Sequence, residues 1–538
     1  MPPPNERHHL MPANDLLDTV DFVRDRSEEL LRRFARSHRG VAYADLRLEA
    51  VFHRSCFAND GEPRESLEHE NASIGVSVWC EGQPRTGGSI GVGQHGVEIG
   101  GLARHANKLM PAIRASLEQA YERARAGAKA KADLLKRHGL KSLGPSLDEP
   151  LTAPAIRDEV AANYRDDPRT LDPQALKHLT REASAAICAI GPQISYNMVS
   201  ALSEIRRELF ASTEGSVITQ VFAFSQGDCY VVAETPQGHQ EIYDTFGQQR
   251  GFECLAENWR DELQPNPDLV SFGVAIAREA TELAAAPILK PPDHEVTVVT
   301  DPHFNALLAH EIVGHPSEAD RALKMEAAYA GRSWLLRSLA VNEIGKVIGS
   351  PMLSACSDPT LRGYGFYRYD HEGTPGKRVM HIDRGVFCGF LNSRATAATL
   401  GAEPNGSARA VAACYVPLVR MSNTFFMPGE DDPAKMIAEV DRGYYVCGSQ
   451  TPSIAESREN FRISARRVYE IENGQIGRLY RSGSVLGDSK NFFMKVDAVG
   501  NDLRLIAIPN CGKGQPMQAK RMSNGGPTLR SRARLAGG

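Results

Sequence analysis

The sequence predicts an α+β protein: an N-terminal α/β domain with a helical segment, then a C-terminal, mainly antiparallel β domain built around a central helix. Three patterns predict it. Apolar residues recur at helical spacing near the start and again between about residues 103 and 137. Between those helices they alternate with polar residues, as strands with one buried face require. After about residue 330 short strand-like runs are punctuated by Gly363, Gly373, Gly385, Asn405-Gly406, Asn473-Gly474 and Gly487. A chain of 538 residues is too long for one core. The expected division is a disordered tail over 1–13, an N-terminal α+β domain over 14–290 with a helical insertion at about 103–190, and a C-terminal β-rich domain over 291–530.

In order, Leu16, Leu17, Val20, Val23, Leu30, Leu31 and Phe34 mark an amphipathic helix. Leu46, Leu48, Ala50 and Phe52 read as one strand, and Ile74, Val76 and Val78 as another. The helix of 103–137 is followed by a Gly/Pro-rich linker through Gly144-Pro145 and Pro150 to Pro154, and a polar helical stretch fills 155–190. Residues 217–224 and 229–235 read as a hairpin turning at Gln226-Gly227-Asp228, with a helix over 252–288 beyond it. The β-branched run Val296 to Thr300 then leads into Asp301-Pro302, an N-cap followed by proline at the first helical position. Phe304, Leu307, Leu308 and Ile312 give this central helix an apolar stripe.

That helix carries the chemistry. Residues 310–315 read His-Glu-Ile-Val-Gly-His, two neutral metal ligands and a candidate base. On a regular helix, at about 100° per residue, positions five apart lie roughly 140° from one another, so His310 and His315 would diverge. If both bind one ion the helix must be distorted or end within 313–316, where Gly314 permits unusual dihedrals and Pro316 disfavours a helical residue before it. A catalytic zinc takes three protein ligands and keeps one open position. The spacing leaves the third open among His294, His303, Glu318, His371, His381 and the ten cysteines. Cys511 reads as standing on a tight, glycine-bracketed loop near Lys513, a setting that favours a thiolate.

Composition excludes other classes. The net charge of −4 offers nucleic acid no electrostatic footprint. Arg123, Arg125, Lys129, Lys131, Lys136 and Arg137 read as the wet face of a helix, and Lys520, Arg521, Arg530, Arg532 and Arg534 as a mobile terminus. Ten scattered cysteines without a Cys-x-x-Cys pair point to reduced thiols and a cytoplasmic protein. The N-terminus lacks the apolar core of a signal peptide, and no apolar run reaches the roughly 18 residues of a membrane span.

Several segments, in order, resemble the TldD/PmbA family of metallopeptidases. They are His310 to His315 with Glu318 and Asp320, Asp370-His371-Glu372-Gly373-Thr374-Pro375, and Arg420-Met421-Ser422-Asn423-Thr424 with Met427-Pro428-Gly429. Val499-Gly500-Asn501-Asp502-Leu503, Cys511-Gly512-Lys513 and Gly526-Pro527-Thr528-Leu529 follow. The resemblance implies one Zn²⁺ held by His310, His315 and Cys511, with Glu311 as general base. It also implies an extended peptide substrate held against a strand edge, and a homodimer or a heterodimer with a PmbA/TldE-like paralogue. Zn²⁺, one thiolate and one carboxylate sum to zero charge, so such a site buries no net monopole. The alternative is a non-catalytic peptide-binding subunit or scaffold, as paralogues lacking the motif are.

Overall fold

The computed structural model describes residues 16–81, 90–101, 105–140, 152–260, 263–329 and 331–537. The predicted tail over 1–13 and most of the predicted linker lie outside them. The N-terminal half is one seven-stranded sheet. Long strands β1 (Val41–Asn59), β2 (Glu62–Glu81) and β3 (Ile90–Glu98) are joined by β4 (Arg157–Val160), β5 (Ile194–Ser212), β6 (Val217–Thr235) and β7 (Gly238–Gln248). The order is β3-β2-β1-β5-β6, with β4 and β7 both on β6. Helix α1 (Asp18–Ser37) buries Val20, Val23, Leu31 and Phe34 at helical spacing, and α2 (Ala106–His138) buries Leu109, Ile113, Leu117 and Ala120. Both pack with β1 and β2 into one core. A second core gathers α3 (Pro173–Cys188), α4 (Leu269–Ala285) and the far end of β5, β6 and β7.

Three local expectations are corrected here. The stretch 155–190 is not one helix: β4 occupies Arg157–Val160, and α3 begins only at Pro173, capped by the Asp172 side chain on Gln174 N–H. The helix over 252–288 splits into Glu253–Ala256 and α4, with Pro265 and Pro267 between them. And β6 runs straight through Gln226-Gly227-Asp228, paired with β5 along its length. Gly227 serves close packing there, because a Cβ would sit 2.6 Å from Leu269 and 2.8 Å from Phe246.

The C-terminal half holds a closed ring and a second sheet. Strand β8 (Val296–Thr300) pairs in parallel with 442–454 and antiparallel with 529–536; 484–488 and 460–472 complete the circuit back to 442–454. Closure leaves these strands no free edge. The second sheet has the order 386–387, 379–383, 355–357, 424–426, 518–526, 504–513, antiparallel except where 424–426 meets 518–526. Helix α5 (Pro302–Ala309) leaves β8 between ring and sheet. Its Phe304 and Leu308, with Ile312 beyond, are fully buried in the ring's core. At ~1.5–3 kcal/mol per buried side chain they anchor this segment firmly. The basic C-terminal segment is no mobile terminus: it forms the strands Gln518–Gly526 and Leu529–Ala536.

Candidate metal centre

The chain enters α5 as the sequence predicts, with Asp301 accepting the Phe304 N–H and Pro302 in the first turn. The helix then changes pitch. His310–Gly314 is a π-helical turn and His315–Ser317 a 3₁₀ turn. The distortion begins at His310, earlier than expected, and the i→i+5 bond of the π turn runs from His315 N–H to His310 O. It stacks residues five apart, so the two imidazoles meet with ring centres 4.6 Å apart and planes at 85°. Gly314 plays a different part from the one read in the sequence. Its φ is an ordinary −63°, and a Cβ there would lie 1.8 Å from Met421 Sδ, so its task is to admit Met421.

Cys511 completes the cluster. It stands in the strand Arg504–Lys513, not on a loop, just past an irregularity in the pairing between Ile508 and Cys511. One ligand atom each from His310, His315 and Cys511 lies within 4.8 Å of the others, and Cys511 Sγ is 3.7 Å from His315 Nε2. Zn–S and Zn–N bonds at a tetrahedral angle place S and N roughly 3.6 Å apart, so the donor set fits a small divalent ion. The outer nitrogens are tied: His310 Nδ1 is 2.9 Å from Asn524 Oδ1, and His315 Nδ1 is 3.0 Å from Glu318 Oε2. Each Nδ1–H therefore donates outward and each Nε2 faces the shared point. Burial alone would push the Cys511 thiol up, but the charges of His310, His315 and Arg420 outweigh it and hold Cys511 well below its ordinary value. Burial would likewise push His310 down, yet its pairing with Cys511 raises it to about 9. Thiolate and imidazolium thus stand where a cation would balance the thiolate.

Behind the ligands lies a buried charge network. Glu318 Oε2 meets Arg321 Nε at 2.8 Å and Lys513 Nζ at 3.1 Å, and Lys513 donates to Asp320 at 2.6 Å. Burial opposes the Glu318 charge, but Lys513, His315 and Arg321 keep it well below the usual carboxylate range. Glu318 supports His315 instead of joining the cluster. The other candidates are engaged elsewhere. His371 pairs with Glu208, His303 accepts the Ser449 N–H, His381 bonds Ser357 and Gly389, and His294 is exposed.

Glu311 points into the same buried region, ion-paired with Arg458. Arg458 is the residue that sequence reasoning missed. It sits at φ 64° in the turn between 442–454 and 460–472, and its second amino group donates to Tyr329 O at 3.1 Å. No motif marks it, since the turn that delivers it lies 147 positions from Glu311.

A buried His-His-Cys cluster thus lies on a π-turned helix with a carboxylate beside the first histidine, a donor set that can hold a metal ion. The profile of the PmbA/TldA metallopeptidase C-terminal domain matches residues 293–537, and that of the central domain residues 166–286. The chain belongs to the PmbA/TldD family of metallopeptidases. A metalloprotease of Methanothermobacter thermautotrophicus is 32% identical over 333 residues, 61% of this chain and 67% of that protein. A TldD homologue of Buchnera aphidicola, also described as a metalloprotease, is 23% identical over 96% of this chain and 98% of its own length. A zinc metalloprotease TldD homologue of Saccharolobus solfataricus is 28% identical over 46% of this chain and 53% of its own. Among solved structures, a Thermotoga maritima protein described by its resemblance to a modulator of a DNA gyrase superposes with a TM-score of 0.69 at 15% identity, over 95% of this chain and 100% of that one. TldE from Thermococcus kodakarensis gives 0.66 at 15%, over 95% and 99%. These two likenesses establish the fold. Among the described residues no helix is long and apolar enough to cross a membrane.

Proposed function

We propose that the chain is a zinc-dependent peptidase hydrolysing short or unfolded peptides, with one zinc per chain on His310, His315 and Cys511 and Glu311 as general base. The observation that carries this reading is the gathering of three buried donor atoms within 4.8 Å, beside a carboxylate. Zinc, when bound, supplies Lewis acidity towards water and towards the scissile carbonyl. The chain supplies the rest. Asn524 and Glu318 hold the two imidazoles in the tautomer that leaves Nε2 free. Glu311 takes a proton from the water whose oxygen bonds to the amide carbon, and delivers it to the amine as the C–N bond breaks. Arg458 adds a positive charge that the sequence left uncounted. With Zn²⁺, one thiolate, Glu311 and Arg458 the sum is +1, suited to a developing oxyanion.

A substrate strand has a place to lie. Among the described residues the strand Arg504–Lys513, which carries Cys511, ends its sheet: it pairs with Gln518–Gly526 on one side, and on the other Leu505 N–H donates to Leu263 O. A groove of about 720 Å³ runs past its Ile506, Ala507, Ile508 and Pro509. An extended peptide added to that edge would be carried towards Cys511. The working form in this reading is a homodimer or a heterodimer with a PmbA/TldE-like paralogue, as the family resemblance implies. The test is a peptide library incubated with wild type and Glu311→Gln, alone and with any paralogue of the same genome, the products read by mass spectrometry. Zinc-loaded wild type that cleaves nothing under either condition would favour a peptide-binding scaffold.

A further inference from the structure

Beside the strand that carries Cys511 is a cavity of about 280 Å³, near the lower end of the ~300–1,000 Å³ common for small-molecule sites. Its apolar wall is aromatic. Phe222 and Phe224 of β6 stack at 5.9 Å, and Tyr364 meets Phe224 edge-on at 5.7 Å. Its polar wall is mostly cationic, with Arg206, Arg409, Lys520 and Arg521 lining it beside one carboxylate, Glu208. Three carboxylates stand against these four cations, and all three are taken. Glu204 binds Arg521 at 2.7 Å, Arg206 at 3.2 Å and His53 at 3.2 Å. Glu49 binds Arg206 at 3.2 Å, and Glu208 binds His371 at 3.1 Å and Arg206 at 4.0 Å.

Arg409 and Lys520 are left over. Among the described residues neither has a carboxylate within 4.0 Å. Arg409 donates to the Met421 carbonyl and lies over the Tyr367 ring at 4.4 Å. Among the described residues its Nε has no partner, although the side chain is 4% exposed, and Lys520 Nζ donates only to the Ala410 carbonyl, at 2.7 Å. A buried cation with no carboxylate in direct contact is costly, and a ligand anion would offset part of that cost.

We propose that this cavity is a subsite for a carboxylate carried on an apolar or aromatic group, received by Arg409 and Lys520. Resting on the peptidase reading, the ligand is the C-terminal residue of a peptide with an apolar side chain, the ring against Phe222 and Phe224. The position fits. The groove along the edge strand and the cavity share Pro509, and Asn510 lines the cavity one residue before Cys511. A peptide laid along Ile506–Pro509 can turn its carboxylate end inward there.

The probe is N-acetylphenylalanine, with N-acetylphenylalaninamide as its neutral counterpart, titrated calorimetrically into the purified protein. The acid is expected to bind at least tenfold tighter than the amide. Lys520→Met should weaken the acid about ten- to hundredfold, as loss of a charge-assisted bond does, and leave the amide unmoved; Lys520→Arg should restore it. If Lys520→Met does not fold, Ala519→Leu, which fills the cavity, should weaken the acid alike. Cys511→Ser separates this cavity from the metal centre, because the acid should still bind. Equal binding of acid and amide, or binding lost in Cys511→Ser and untouched in Lys520→Met, overturns the proposal. Turnover of free-acid and amidated peptides completes the test, with an amidated peptide bearing an internal glutamate to reveal a side-chain carboxylate in the same place. Cleavage indifferent to all three carboxylate states overturns the subsite and leaves the peptidase standing. Acid-selective binding without cleavage of any peptide overturns the peptidase and leaves the subsite standing.

Discussion

The backbone N–H of His315 donates to the carbonyl oxygen of His310, five residues back, and that bond turns two diverging imidazoles into a facing pair. A π turn is rare because it departs from the tighter α-helical bonding, and such turns are frequent at functional sites. Here its surroundings hold it. Ile312 and Val313 are buried in the ring's core, and Gly314 is pressed against Met421.

Gly314→Ala should therefore destabilise the protein by ~1–3 kcal/mol, the usual cost of overpacking, although alanine suits a helix better than glycine. Combining it with Met421→Ala should recover part of the loss that each change causes alone. Denaturant midpoints of the two single variants and the double variant check this. Additive losses would mean that the Met421 contact is not what requires glycine.

Cys511→Ser should fold and lose most of its zinc, because a hydroxyl is a far poorer donor to this ion than a thiolate. Metal content after dialysis against a weak chelator measures it. Full retention would remove Cys511 from the ligand set. Glu318 and His371, each already engaged with another side chain, would then have to exchange partners to replace it.

Glu318→Gln should weaken zinc binding about 10- to 100-fold, because it removes the charged partner that orients His315. The same change leaves the fully buried Arg321 without a carboxylate in contact, while Lys513 keeps Asp320, and should cost ~3–5 kcal/mol of stability. Competition with a chromogenic chelator reads the first effect and urea denaturation the second. Unchanged affinity in a folded variant would show that His315 needs no partner.

The stripe Phe304, Leu308, Ile312 and the cap at Asp301 were legible in the sequence because both depend on local rules, periodicity and an N-terminal hydrogen bond. The hexapeptide was legible for the same reason, and its awkward spacing correctly signalled a distorted helix. Gly227 was misread because glycine marks a turn or a close approach equally well, and only the packing of α4 and Phe246 decides which. Lys520 and Arg521 looked like a basic tail because the sheet that makes their strand interior is assembled from 424–426 and 504–513, remote in sequence. Arg458 was invisible for a related reason: a turn residue acquires meaning only when the ring closes and delivers it to Glu311.

His381 gives the fold an acid-sensitive point. Fully buried, it donates Nδ1–H to Gly389 O and accepts at Nε2 from Ser357, and burial pushes it down to about 4. The folded state thus refuses a proton that the unfolded state accepts below about pH 6.5. Stability from this group is complete above pH 6.5 and is lost as pH falls towards 4. Between pH 7.5 and 5 the loss should be ~2 kcal/mol. Denaturation of wild type and His381→Gln at both values checks it. An equal pH dependence in the two proteins would assign the acid sensitivity elsewhere.

Glu311→Gln should keep its zinc and nearly abolish peptide hydrolysis, with a loss of about 10²–10⁴ in rate. Glutamine preserves the shape beside Arg458 but cannot take a proton from water. The change also frees Arg458 from its ion pair, so a purely structural role for Glu311 would appear as lost stability and altered metal content, not as lost turnover alone. Measuring zinc content, thermal midpoint and kcat together separates these effects. Arg458→Lys tests the other half of the pair. A lysine keeps the charge but not the fork that spans Glu311 and the Tyr329 carbonyl, so kcat should fall while zinc content holds. Wild-type turnover in Glu311→Gln would remove Glu311 as the base and leave its pairing with Arg458 a structural one.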